Sequence, residues 1–251
     1  MLDFQWLNQE HSGAPVLEIS PWHNVRFVGD NVEYFDVMDR ESLIEKAQGD
    51  PNLAELLDSR KDIPFYGFPY VHHVNQFGDL SQIDKKYNLV FSSHVVEHTL
   101  CLVRHLNQVY DLLNDNCYYT LVIPDKRYCF DHYIPPSTLG NVLEDFHLRK
   151  GKEYSLKTMI HANLYTTHND PAKHWRGDHG NIPLYSTPDI RIEDFLGSPE
   201  GFDFHNYQFT PSSFEEVVTS LKKYNYINFD VNEIKPTVTN SHEFSAVLKK
   251  V

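Results

Sequence analysis

The side chains best suited to chemistry in this chain are histidines set in an irregular stretch. Residues 167–180, THNDPAKHWRGDHG, hold His168, His174 and His179 beside Asp170, Trp175, Arg176 and Asp178, and His205 follows further on. Histidine is the side chain whose ordinary pKa lies near neutrality, so these four are candidate general bases. The same stretch could instead clamp an acidic or sugar-like substrate through Arg176 and Trp175, or bind a metal. It could also be an ordered polar loop whose histidines cap and hydrogen-bond locally.

Two shorter groups join them. His94 and His98 flank Glu97 in the run HVVEH, and a four-residue spacing puts two side chains on one helix face. That spacing suits two metal ligands, but the HExxH order is absent, so no metal site is expected and His98 is read as facing the substrate. Asp125, Lys126 and Arg127 form a charged triplet in which Arg127 could pair bidentately with a carboxylate or phosphate. Tyr128, Phe130, Tyr133 and Trp175 offer flat surfaces for a sugar or an aromatic ring, or are core.

These groups must be positioned by regular elements, and the stretch from Tyr87 to Asp125 shows how. An apolar run, Leu89 to Phe91, leads to Ser92, Ser93 and His94. A helical pattern follows, with Leu102, Leu106, Val109, Leu112 and Leu113 at three- and four-residue spacing. Asn114, Asp115 and Asn116 predict a turn, and a second apolar run from Tyr118 to Ile123 ends at Pro124. Strand, helix and strand in this order are the unit of a parallel α/β sheet, whose ligands bind beyond the carboxyl ends of the strands. Ser93-His94 and the Asp125 triplet fall there.

Earlier strands are predicted at Val16–Ile19, Val32–Val37 and Tyr70–Val74, with a helix over Arg40–Ala47. Regularity then fails over residues 126–205, apart from helices near Thr138–His147 and Ser155–Leu164. A segment that long is expected to be a lid or binding element. A helix begins at Thr210-Pro211 and runs to about Tyr224. Strands over Tyr226–Ile234 and Glu243–Lys249 close the chain as a hairpin. The expected organisation is a single domain over 1–251 with residues 126–205 inserted as a lid or acceptor-binding segment.

Composition narrows the function. The 251 residues carry a net charge of −13, which argues against a nucleic-acid partner. No apolar run reaches the roughly 20 residues that span a bilayer. The start, MLDFQWLNQEHSG, lacks the build of a signal peptide, and three cysteines without a CxxC pair suggest reduced thiols. A cytoplasmic protein is expected. The oligomeric state is left open.

The block YNLVFSSHVVEHT…HLNQVYDLLNDNCYYTLVIPD resembles the type-11 pattern of class I S-adenosylmethionine-dependent methyltransferases. The segments VIPDKRYCFDHYIPPSTL and FHNYQFTPSSF resemble a subgroup often encoded among bacterial surface-glycan genes. The resemblance implies an α/β, Rossmann-like fold: a mostly parallel seven-stranded sheet, helices on both faces and a C-terminal antiparallel hairpin. It also implies S-adenosyl-L-methionine as cofactor. Glu18 would accept from the methionine ammonium side or hold its loop, Asp36 would accept from the ribose hydroxyls, and Asp79 from the adenine amine with Leu80 against the ring. Ser93 and His94 would line the methionine end. The family carries glycines after its first acidic residue, whereas this chain has LEISPWHN, with Ser20 where a glycine would let the cofactor approach.

The expected activity is therefore methyl transfer to an oxygen of a small molecule or glycan precursor. His168, His174, His179 and His205 are the candidate bases. His98, Asp125, Lys126, Arg127, Trp175 and Arg176 are the candidate acceptor contacts. The rivals are a methyltransferase-fold binding or regulatory protein without turnover, which the missing glycines favour, and a metal-dependent hydrolase built on the histidine-rich stretch.

Overall fold

The computed structural model describes residues 13–22, 24–49, 71–149, 153–182, 192–197 and 203–251. Seven strands form one sheet: β1 (Val16–Ile19), β2 (Val32–Asp36), β3 (Val71–Val74), β4 (Tyr87–Ser93), β5 (Leu113–Pro124), β6 (Phe229–Lys235) and β7 (Glu243–Lys250). Their order is β3-β2-β1-β4-β5-β7-β6. The first five strands run parallel, and β7 is antiparallel to both β5 and β6. This is the mostly parallel sheet with a C-terminal hairpin that the sequence predicts.

Leu89, Val90 and Phe91 of β4 are all fully buried, which explains the unbroken apolar run of a strand covered on both faces. Helix α1 spans Arg40–Gln48 and α2 spans Leu102–Leu112. The apolar stripe of α2, Leu102, Leu106 and Val109, is buried in the main core with Leu17, Val90 and Leu121. In the 126–205 segment come α3 (Leu139–Glu144), a π turn (Asp145–Arg149), α4 (Leu156–Leu164), α5 (Pro171–Trp175) and α6 (Ile192–Gly197). Helix α7 (Pro211–Lys223) buries Phe214, Val217, Val218 and Leu221. Thr210 and Ser213 cap it reciprocally, at 3.1 and 2.9 Å, with Pro211 in the first turn.

Two local expectations need correction. The turn at Asn114–Asn116 is absorbed into β5, which starts at Leu113 opposite Tyr87; the register shifts there, and Asn116 takes a left-handed φ of 61° that asparagine tolerates. His94 and His98 do not share a helix face. They lie in a turn, because His94 itself is left-handed (φ 55°) and the helix is not entered until Leu102. The helix expected near Thr138–His147 is present, with Thr138 as its N-cap; it runs from Leu139 and passes into the π turn at Asp145. Residue 70 and most of the 48–69 stretch lie outside the described residues.

The order of the strands fixes where a ligand would sit. The chain builds from β1 outward through β2 to β3, then returns to the other side of β1 to lay down β4. The switch point is therefore the crevice beyond Ile19 and Ser93, between β1 and β4.

Candidate active site

Three non-glycine residues at this switch point adopt left-handed backbones: Ser20 (φ 49°), Trp22 (φ 41°) and His94 (φ 55°). Ser20 thus takes the conformation a glycine would supply, at a cost of about 1–2 kcal/mol. Such strain persists where surrounding contacts impose it. Ser20 N–H donates to Phe35 O at 2.7 Å, and His94 N–H donates to Val122 O at 3.0 Å, so both turns are tied to neighbouring strands.

Glu18 holds the same loop from beneath. It is 1 % exposed, and its carboxylate accepts the Arg26 N–H at 2.9 Å and the Phe27 N–H at 3.1 Å. Burial nonetheless pushes its pKa up to about 8. Asp36 ends β2 at 3 % exposure. Its Oδ1 accepts the Val37 N–H at 2.7 Å, while its buried Oδ2 has no hydrogen-bond partner among the described residues. Burial lifts its pKa to about 6.

Asp79 caps a short 3-10 turn, accepting from the Ser81 N–H at 3.0 Å and from Gln108 Nε2 at 2.5 Å, and the Ser81 bond keeps its pKa low. The Leu80 side chain is fully enclosed in the core, so it presents no apolar face to the crevice. Ser93 is half-buried at the end of β4. His94 Nε2 lies 3.0 Å from Glu243 Oε2; burial disfavours its charge, but Glu243 and Glu97 outweigh burial and raise its pKa.

The candidate acceptor contacts divide. Asp125 is fully buried and already engaged: Arg127 reaches it through Nε (2.9 Å) and Nη2 (2.6 Å), and the Thr237 hydroxyl donates to it at 2.6 Å. Lys126 Nζ donates to His132 O at 2.7 Å, and burial lowers its pKa. Trp175 stacks on Tyr128 with centroids 4.0 Å apart and donates to Ser241 O at 2.8 Å. Arg176 is exposed at the end of α5.

The four histidines do not form one group. His168, His174 and His179 make a knot with His132. His174 Nδ1 lies 3.0 Å from His179 Nδ1, His174 Nε2 lies 3.0 Å from His168 O, and His132 stacks on His179 at 3.7 Å. His168 Nε2 lies 3.1 Å from Asp178 O. Burial lowers the pKa of His174. His205 belongs elsewhere. Its Nδ1 lies 2.5 Å from Asp131 Oδ2, and its ring meets that of His98 edge-on at 4.6 Å. His98 Nδ1 in turn lies 2.8 Å from Asp203 Oδ1. Glu97, 1 % exposed, sits against both rings.

Sequence reasoning missed Glu97, Asp131 and Asp203. Glu97 is visible in HVVEH, but its partner His205 is distant in sequence; the two aspartates carry no signal until the fold brings them to their histidines.

No protein-family model matches the chain, and no curated protein matches it. Solved structures with a similar layout include an S-adenosylmethionine-dependent methyltransferase from Mesorhizobium loti, 10% identical, covering 98% of this chain and 95% of the other with a TM-score of 0.46. Another, from Clostridium acetobutylicum, is 8% identical over 99% and 89% of the chains, at a TM-score of 0.47. Magnesium protoporphyrin IX methyltransferase from Synechocystis, with S-adenosylhomocysteine bound, is 11% identical over 99% and 80%, at 0.43. Likeness at this level assigns neither cofactor nor substrate. The strand order, with β7 reversed between β5 and β6, is itself the arrangement of the Rossmann-like class I methyltransferase fold.

Proposed function

We propose that the chain is an S-adenosyl-L-methionine-dependent methyltransferase acting on an oxygen of a small molecule or glycan precursor. One observation carries the cofactor: a buried carboxylate oxygen of Asp36 stands without a hydrogen-bond partner among the described residues at the end of β2, beside the left-handed Ser20 at the switch point. A ribose hydroxyl is a fitting donor to that oxygen. Ser20 and the loop held by Glu18 would lie along the methionine portion, and Ser93 and His94 would close its far side. Asp79 keeps its role toward the adenine amine only through lone pairs left by Ser81 and Gln108. Leu80 would support the 3-10 turn from within.

The sulfonium is already activated, so the protein's task is to align the acceptor oxygen and manage its proton. We assign that task to the cluster past β4, Glu97, His98 and His205, rather than to the His168–His174–His179 knot. Residues 126–205 supply the acceptor side, with Arg176 and the exposed edge of Arg127 available for a charged group. The glycan precursor rests on the resemblance of residues 122–139 and 204–214 alone. Thermal melts with S-adenosylhomocysteine test the reading. Ligand at about 100 times its Kd should stabilise the wild type by about 2.7 kcal/mol, with a much smaller shift in Asp36→Ala. Equal shifts would remove Asp36 from the site.

A further inference from the structure

We propose that Glu97, His98 and His205 bind a divalent first-row metal ion. One ligand-capable atom from each lies within 4.8 Å of the other two. Glu97 is 1 % exposed, and neither of its carboxylate oxygens has a hydrogen-bond partner among the described residues; the nearest base, His94 Nδ1, is 3.5 Å from Oε1. A carboxylate enclosed in this way needs a counter-charge, and the one it has, His94, is shared with Glu243. Both histidines direct Nδ1 at a carboxylate, His98 at Asp203 and His205 at Asp131. That contact fixes the tautomer and leaves the Nε2 lone pair for an ion, as outer-shell carboxylates do for metal-ligating histidines.

The frame is rigid. The Glu97 carbonyl accepts the N–H groups of both Asn206 (2.6 Å) and Tyr207 (3.1 Å), so backbone bonds set His205 beside Glu97. Two other groups bring three such side chains together but lack the same vacancy of bonding. The His132–His174–His179 knot has no carboxylate, and both nitrogens of His174 are already engaged, by His179 Nδ1 and by His168 O. In the His94–His242–Glu243 group, His94 and Glu243 satisfy each other as an ion pair.

Two imidazoles and one carboxylate suit ions from Mn²⁺ to Zn²⁺ and leave positions open for a substrate oxygen. Resting on the methyltransferase reading, the acceptor is then a hydroxyl compound that binds the ion through oxygen. The ion lowers the pKa of that hydroxyl, and its proton passes to water. The oxygen lone pair forms the O–CH3 bond as the C–S bond breaks, and the sulfonium becomes neutral S-adenosylhomocysteine.

The test uses the full chain made without a histidine tag, stripped with chelator, and titrated separately with Mn²⁺, Co²⁺ and Zn²⁺. Calorimetry gives affinity, and the visible spectrum of Co²⁺ reports nitrogen and oxygen ligation. One ion should bind the wild type and His174→Ala alike. Affinity should fall at least 10-fold in Glu97→Gln and His205→Ala, and about 10–100-fold in Asp131→Asn, with folding confirmed by circular dichroism. No binding to the wild type, or equal affinity in Glu97→Gln and His205→Ala, would overturn the site. S-adenosylhomocysteine binding in the same samples keeps the two proposals apart. Cofactor binding without the metal defeats this inference alone, whereas metal binding without the cofactor supports it and defeats the methyltransferase reading.

Discussion

Ser20 carries a backbone conformation that its own side chain disfavours. With φ at 49°, it does the work of a glycine without being one. Ser20→Gly should remove about 1–2 kcal/mol of left-handed strain. The greater freedom of unfolded glycine offsets roughly 0.5–1 kcal/mol of that. Urea unfolding should therefore show a modest net stabilisation, and a clear destabilisation would mean that the loop does not hold Ser20 left-handed. The absence of glycines in LEISPWHN says less about lost function than it does in the sequence alone, because the structure shows the same local geometry reached at a cost. Asp36 and Glu18 were legible as acids at strand ends. The choice left open for Glu18, cofactor contact or loop support, needed the backbone donors: they tie Glu18 to its loop and leave Asp36 half-satisfied.

Elements were legible where periodicity was strong. The runs of β4 and the stripe of α2 read directly, since burial on both faces or on one stripe writes itself into residue type. The turn at Asn114–Asn116 misled because three turn-forming residues can be carried inside a strand when the register slips. Within residues 126–205 the helices near Thr138 and Ser155 were legible, but the side-chain contacts were not, because many are long-range. Asp125 is the clearest case. Read as an acceptor contact, it instead gathers Arg127 and the Thr237 hydroxyl at the end of β5. Asp125→Ala should cost about 2–3 kcal/mol, from the loss of charge-assisted bonds. Chemical denaturation would measure it, and unchanged stability would show that those bonds do not hold the chain in place past β5. The same limit hid the Glu97 cluster, whose third member, His205, lies more than 100 residues further along the chain.

At the scale of the whole molecule, the net charge of −13 and the buried acids shape the response to pH. Glu18 is raised from 4.5 to about 8 in the fold by burial, so the folded chain holds that proton more tightly than the unfolded chain does. Its contribution to stability is fully present below about 4.5 and is lost as pH rises through about 8. Melts of the wild type and Glu18→Gln over this range should diverge, the wild type losing more stability with rising pH. Parallel curves would place Glu18 in an ordinary environment. Among the described residues no helix is long and apolar enough to cross a membrane.

The central claim, that the β1–β4 switch point is a nucleoside-cofactor site, is tested most directly by calorimetric titration of the wild-type chain and of Asp36→Ala with S-adenosylhomocysteine near neutral pH. The account predicts saturable binding to the wild type. In the variant, binding should weaken by one or two charge-assisted hydrogen bonds, each worth about 1.5–3 kcal/mol. Absence of any binding heat from correctly folded wild-type protein, or identical affinity in Asp36→Ala, would contradict it.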